Sequence, residues 1–535
     1  VSEQNPLDDS AVAAESVPAA AAAALNTGVV VIGGGVAGLV AALECARIGL
    51  SVTVLERAAT PGGCVGRVEL AGLTLDSGAE SFATRGGTVE ELIAELGLES
   101  DVVSPRPSGA WLVMPGPRGG LDAAPLPKTG MLGIPANPLG DDVRRIIGWG
   151  GAIRAYAYRL KPILRIGRAR SLGELVRKRM GAKVLDRLVT PISSGVYSAN
   201  PDDLDLDVVA PGLNEAMTRA GSLSGGVGEL VETRRAGSAV LGLRGGMHRL
   251  VDALLAELAR FDATVVTSAE VVGLERVPSV SGEASPDDAD AVSWRATARI
   301  GGDELVVAAR YAIVAAPAHA SRPLLATSVD GWADVPDGPD AASVELVTLV
   351  LAAPALAAAP RGTGVLVAAG APGVAAKALT HSSAKWEWVA EAAAPHQVVR
   401  LSYGRAGAAN PLDGLDDDAV ADLAVADASA LTGVPLDPSM LVGAARTPWR
   451  DALSHAALGQ RERVLALEAA VAGTPGLEVT GAWLSGTGLA SVVPHAKAAA
   501  ARIRHDAVRD RVGRERGEMP GVVIADDADR HITDA

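Results

Sequence analysis

The stretch "VVVIGGGVAGL", residues 29–39, decides the fold. Its first four residues are apolar and β-branched, the kind of run that forms a strand buried on both faces of a parallel sheet. Gly33, Gly35 and Gly38 follow in a G-x-G-x-x-G spacing, with Gly34, Val36 and Ala37 between them. In that spacing the first glycine permits a tight turn and the second lets the backbone approach a pyrophosphate. The third lets the next helix lie close on the sheet. A helix expected over residues 36–48 would turn its first amides toward the phosphates, and Gly49 would stop it. "SVTVLE" is the next strand. Glu56 ends it about twenty residues past the glycines, where a carboxylate hydrogen-bonds a ribose hydroxyl. Alone, the glycine spacing would also fit a fortuitous turn; set between a strand and a helix, it is a strong dinucleotide signal.

The bulk properties narrow the setting. The chain has 535 residues, of which 48% are hydrophobic and 21% charged, enough for two or three domains of an ordinary soluble protein. Its net charge of −15 argues against a nucleic-acid partner. Two cysteines, Cys45 and Cys64, make neither a disulfide framework nor a metal cluster, so a reducing cytoplasm is the natural compartment and no metal site is expected. Residues 1–27 are acidic and Ala-rich and read as a disordered leader; neither the basic start nor the longer apolar core of a secretory signal is present. Residues 508–535 are charged and read as a flexible tail.

Two further features favour FAD over NAD. "ERAATPGGC" continues past Glu56 with a glycine pair at residues 62–63, and "LTLDSGAESF" supplies another glycine-bearing strand end. Far along the chain, "LEVTGAWLSGTGLASVV" is a second strand–glycine–helix joint, with Gly481, Gly486 and Gly488, able to cover the rest of a long cofactor.

Several landmarks then occur in order: "GGGVAG", "LERAATPGG", "LDSGAESF", "GMLGIPANP", "SLGELVRKRMGAKVLDRLVTPISSGVYSANPDDLDL", "LRGGMHRL", "SSAKW", "YGRAGA" and "GTGLASVV". With them the chain resembles the flavin amine-oxidase superfamily and, within it, the protoporphyrinogen and coproporphyrinogen oxidases, from residue 28 to about 503. "LGIP" is similar to the Gram-positive branch, which forms coproporphyrin III. The resemblance implies FAD, a tetrapyrrole substrate and dioxygen as acceptor. It also implies haem biosynthesis in the cytoplasm, with peripheral contact to a membrane or a downstream haem-pathway enzyme as a further option. It says nothing of oligomeric state.

The fold class expected is α/β. A discontinuous Rossmann-like FAD-binding unit would span 28–104, 236–320 and 446–507. An α+β substrate unit on a mixed or antiparallel sheet would span 105–135 and 321–445, and a basic helical unit 136–235. For the cofactor the resemblance implies Gly33, Gly34, Gly35, Val36, Ala37, Gly38, Glu56, Arg57 and Cys64. It adds Gly78, Ala79, Glu80, Ser81, Val271, Trp449, Thr487, Gly488 and Leu489. Trp449 has an equal packing alternative. For the substrate it implies Arg85 as a carboxylate partner, Gly195 as room for a flat macrocycle and Tyr197 as lining; a surface arginine and helix-end packing are the bland alternatives. Residues 381–386, "HSSAKW", are a weaker candidate. No catalytic residue is expected beyond the flavin, since a porphyrinogen can lose its electrons pairwise to the cofactor. The scattered histidines read as surface or core residues.

From Asp141 to Arg187 the chain carries 13 Lys/Arg against 4 Asp/Glu, a local +9 interleaved with Trp149, Tyr156 and Tyr158. A solvated basic face, a helix resting on anionic lipid and a mouth that draws in a polyanion all fit that composition. Two rivals to a porphyrinogen oxidase remain. A flavin amine oxidase would need an aromatic cage that five Tyr and two Phe hardly supply, and a flavin-free escort protein of prenylated GTPases would not need the intact glycines and Glu56.

Overall fold

The computed structural model describes residues 24–128, 130–160, 168–234, 240–278, 292–335, 343–449 and 456–516. At its centre is β1 (Ala24–Ile32), flanked by β2 (Val52–Leu55) on one side and β8 (Asp303–Val314) on the other, both parallel to it. The strand starts at Ala24, inside the segment read as a disordered leader, because residues 24–27 pair with 306–309 of β8. Val29 and Val31 pack into one apolar cluster, and Val30 and Ile32 into another on the opposite face. Each fully buried side chain of this kind contributes roughly 1.5–3 kcal/mol, which is why the run reads as continuous rather than alternating.

Five strands in all run parallel, since β5 (Thr264–Val266) extends the sheet beyond β2 and β14 (Leu477–Val479) pairs with β8. Ile32 sits level with Leu55 and Val314, Leu55 with Val266, and Val314 with Val479, so their carboxyl ends form one rim. β6 (Glu270–Pro278) and β7 (Val292–Ile300) complete this seven-stranded sheet as an antiparallel flap on β8. Residues 279–291 between them lie outside the described residues. Helices α1 (Val36–Ala46), α5 (His248–Arg260) and α7 (Leu489–Arg516) cover one face. α7 runs on to Arg516, past the start of the expected tail at 508, because Asp510 accepts from Arg310 and from the Tyr311 hydroxyl on β8.

A second seven-stranded sheet has the order β13-β9-β12-β11-β10-β3-β4. Its members are β3 (Ala110–Pro115), β4 (Leu121–Pro125), β9 (Val344–Leu351), β10 (Gly364–Val367), β11 (Ala378–Thr380), β12 (Gln397–Tyr403) and β13 (Leu441–Trp449). All neighbours are antiparallel except β10 and β3. Residues 446–449 stay in this sheet, so the chain crosses back to the first unit after Trp449 rather than at 446. One face (Val347, Leu349, Val399, Leu401) packs on α6 (Asp417–Thr432). The other carries Thr348, Val398 and Arg400 toward residues 75–80 of the first unit.

The helices between 141 and 234 form a third apolar cluster with Leu112 and Met114 of β3. α2 (Asp141–Ala157) is kinked at Gly148, whose φ of +68° suits glycine. Ser171 caps α3 (Leu172–Arg179) by accepting from the Glu174 amide, as its S-x-x-E signature predicts. The helical path runs through a π-helical stretch at 185–189 into α4 (Thr190–Val196), with Pro191 just past the π-to-α junction. Several basic residues here are already paired: Arg145 with Asp122, Arg170 with Glu462, Arg177 with Asp202 and Arg168 with Glu215. For these, a solvated basic face is the reading the geometry favours. Among the described residues, no helix is long and apolar enough to cross a membrane.

Candidate active site

The rim of the parallel sheet builds the first half of the site. Gly33 turns the chain at φ +110°, with Ala315 so close that a Cβ would lie 2.9 Å from its carbonyl. A Cβ on Gly38 would sit 1.9 Å from the Gly33 oxygen, so only glycine lets α1 lie this near its strand. Gly35 differs from both: a Cβ there meets nothing within 4 Å. Gly35 also caps α1 without any side-chain acceptor, which leaves the first-turn amides, those of Val36 and Ala37 among them, for a ligand. Glu56 Oε2 accepts from the Gly34 amide at 2.6 Å and Oε1 from the Ala58 amide at 2.7 Å, which fixes the carboxylate beside the glycine turn. Arg57 next to it is exposed. The Ala269 amide bonds to the Glu56 carbonyl, and Val271 lies two residues further on, at an irregularity in β6.

From the glycine turn a chain of close approaches leads toward the second sheet. The Gly62 amide donates to the Gly34 carbonyl at 2.8 Å, and the Ala79 amide to the Cys64 carbonyl at 2.8 Å. A Cβ on Gly78 would lie 2.3 Å from the Cys64 oxygen and 3.2 Å from the Trp449 ring. Trp449 Nε1 donates to the Ser77 carbonyl at 3.3 Å. Residues 35, 62–64, 77–79 and 449 therefore form one wall. Cys64 is exposed on it, yet crowded enough that burial pushes its thiol pKa up, which gives no sign of an activated thiolate.

On the far side, Gly486 and Gly488 turn at φ +101° and +96° before α7 begins at Leu489, with Thr487 between them. A Cβ on Gly488, like one on Gly35, meets nothing within 4 Å. α7 packs directly on α1. Arg85 is exposed, and its Nη2 donates to Ser491 Oγ at 2.5 Å in the first turn of α7.

Glu80 and Ser81 follow Gly78 toward the second sheet. The Glu80 side chain, 7% exposed, turns toward that sheet: it lies 3.3 Å from Arg400 and 3.4 Å from Lys385 and accepts from Ser382 Oγ at 2.7 Å. Burial alone would raise its pKa, but Arg400, then Lys385, hold it below the usual carboxylate range. Arg400 also donates to the Gly78 carbonyl at 2.7 Å and the Asp76 carbonyl at 3.3 Å, which clamps the segment to β12. Asp76, Glu80, Thr348, Ser382, Trp386 and Arg400 line a cavity of about 10 Å³, room for one water. Asp76 accepts in turn from the His248 amide at 3.2 Å. His381 is buried, and burial pushes its pKa down to about 4, so it stays neutral near pH 7.

Gly195 and Tyr197 are elsewhere, at the end of α4. A Cβ on Gly195 would lie 2.5 Å from the end of the Leu366 side chain of β10, so Leu366 packs against this glycine. Tyr197 is half-buried against the helical cluster. The residues that sequence reasoning missed are Arg400, Lys377 and Arg405. Arg400 left one legible sign, a cation on the alternating strand "VVRLSYG" that a half-buried sheet would not otherwise carry.

A family model for flavin containing amine oxidoreductases matches residues 36–504. The chain belongs to that family. Its cofactor is accordingly FAD, and the open sides of Gly35 and Gly488 with the uncapped start of α1 are the cradle such a group requires. Within this amine oxidoreductase family, the chain is similar to a coproporphyrinogen III oxidase of Mycobacterium tuberculosis, 30% identical over 86% of this chain and 94% of the relative. A Bacillus subtilis protein of the same name is 25% identical over 88% of this chain and 96% of its own length. In architecture this chain is similar to the crystal structure of a candidate protoporphyrinogen oxidase from Exiguobacterium, with a TM-score of 0.73 and 24% identity, covering 91% of this chain and all of the other.

Proposed function

We propose that this protein oxidises coproporphyrinogen III to coproporphyrin III, passing six electrons in pairs to dioxygen and releasing hydrogen peroxide. The observation that supports it most is the similarity, across most of both chains, to the mycobacterial coproporphyrinogen III oxidase. Bound FAD supplies the two-electron acceptor that the polypeptide itself lacks.

The chain's own work is binding, orientation and exclusion. First-turn amides of α1 would hold the pyrophosphate and Glu56 the ribose. The wall of Gly62, Gly63, Cys64, Gly78, Ala79 and Trp449 would bear on the ring system, closed from the α7 side by Thr487, Gly488 and Leu489. Ser81 and Val271 belong to the same contact set, Val271 toward the adenine. The Arg400–Glu80 clamp keeps the Gly78 peptide from shifting, since every carboxylate and guanidinium in it already has a partner. Arg85, anchored at the α7 start, would meet a ligand carboxylate, and Tyr197 would stand at the junction of α4 with the second sheet.

Oxygen uptake by the purified yellow protein, with coproporphyrinogen III and protoporphyrinogen IX in competition, tests this reading. Preferred conversion of the tetra-acid with peroxide release is expected. Preference for the di-acid would reassign the substrate, and turnover of amines without porphyrin formation would overturn the proposal.

A further inference from the structure

At the far end of β12 two cations lie, among the described residues, without a counter-charge. Lys377 immediately precedes β11 and is 1% exposed. Its Nζ donates to the Gly404 carbonyl at 2.6 Å and to the Ser198 hydroxyl, both neutral acceptors. Arg405 follows Gly404, is half-buried, and is the charged group whose field acts on Lys377. Among the described residues no acidic side chain pairs with either cation. Asp427, which α6 turns toward this corner, accepts instead from the Ala375 and Ala376 amides and from the Tyr403 hydroxyl, and burial raises its pKa.

Burying a cation without a partner is costly, and proteins keep such groups where something else completes the pair. Lys377 donates to two neutral acceptors and has no counter-charge among the described residues, so an anion arriving at this corner would complete the pair. The location is specific too. Ser198 lies in the "SGVYSAN" segment of the helical region, and its carbonyl accepts from the Ala406 amide at 2.8 Å, which stitches that region to the sheet beside Arg405. Five residues before Arg405, on β12, Arg400 grips the Gly78 peptide of the flavin wall.

We propose that Arg405, supported by the ammonium of Lys377 behind Ser198, receives a carboxylate of the bound substrate. This deepens the porphyrinogen oxidase reading and rests on it. Arg405 is the group that meets the carboxylate through its forked donors. Lys377 is a positioning residue: it holds positive potential at the corner and orients the Ser198 hydroxyl outward by occupying its oxygen. Burial, then the neighbouring Arg405 charge, pull the Lys377 pKa down to about 7. The ammonium is therefore present below that pH and lost above it.

The test uses flavin-loaded full-length protein, wild type and the variants Arg405→Gln and Lys377→Met, with coproporphyrinogen III and its tetramethyl ester. Arg405→Gln should raise KM for the tetra-acid about tenfold or more while leaving kcat within a factor of two or so, as for a lost charge-assisted hydrogen bond. Wild-type kcat/KM for the tetra-acid should fall as pH rises through about 7, because the free enzyme loses the Lys377 charge. That fall should vanish in Lys377→Met, and in the wild type with the ester. Unchanged KM in Arg405→Gln, or a fall that persists with the ester, overturns the subsite alone. A wild-type protein that oxidises neither porphyrinogen overturns the function and the subsite together. Should Lys377→Met fail to fold, the ester arm and Arg405→Gln decide the matter without it.

Discussion

At the scale of single residues, the two glycines of the opening motif do different work, and substitution separates them. Gly35 has an ordinary φ of −73° and empty space where a Cβ would go. Gly35→Val should therefore fold, purify colourless because the side chain would occupy the phosphate's place, and melt close to the flavin-free wild type. Gly38→Ala should lose about 1–3 kcal/mol or more of stability, since its methyl meets the Gly33 carbonyl. Thermal melts with flavin absorbance on the same samples check both, and a Gly35→Val protein that stays fully yellow would contradict the phosphate role. Both glycines were legible in the sequence because a turn at a strand end limits what can stand there. Gly195 was not. Whether a glycine makes room for a ligand or for a neighbouring Leu366 depends on what packs opposite, and no local pattern records that.

The elements explain why part of the site was hidden. "AESF", "SSAKW" and "VVRLSYG" each read as a separate landmark, but Ser382 and Glu80, 302 residues apart, meet only once the second sheet is laid against the first unit. Local periodicity identified the strands as strands and left their order open, including the parallel neighbour pair of β3 and β10. Arg400 on β12 is the joint between the two sheets. Arg400→Met should destabilise the protein by about 3–5 kcal/mol, because it leaves the buried Glu80 with Lys385 as its remaining cation and strips the Gly78 carbonyl of its donor. The effect has a definite pH sign. Glu80 has a folded pKa below its unfolded value, so its contribution is present above the ordinary Glu range and is lost as pH falls through the folded pKa. The stability gap between wild type and Arg400→Met, from chemical denaturation at several pH values, should be widest near neutrality and narrow in acid. A gap independent of pH would mean the clamp is packing rather than charge.

Over the whole molecule, a chain of net charge −15 must accept a polyanion under the proposed function. The excess of basic residues over 141–187 invites the idea of a long-range electrostatic funnel, yet several of its arginines are spent on acidic partners. Attraction would then come from the few cations left uncompensated near the sheet, and groups that deep are screened little by salt. KM for coproporphyrinogen III should accordingly rise only shallowly, within about threefold between low and physiological ionic strength. A steep rise would return the basic helices to the role of an attracting mouth. The architecture itself followed from the sequence because its two glycine joints each mark the carboxyl end of a buried strand. What they are joined against, a second sheet with one face on α6 and the other toward residues 75–80, came from pairings that span hundreds of residues.

The most direct measurement is to mix the yellow protein with coproporphyrinogen III in the absence of oxygen and follow the visible absorbance of the flavin. The account predicts that the yellow colour bleaches as each flavin takes one electron pair, and that admitting air, which accepts the remaining pairs, restores the colour with peroxide as coproporphyrin fluorescence appears. Colour that persists with the porphyrinogen yet bleaches with an amine would contradict it.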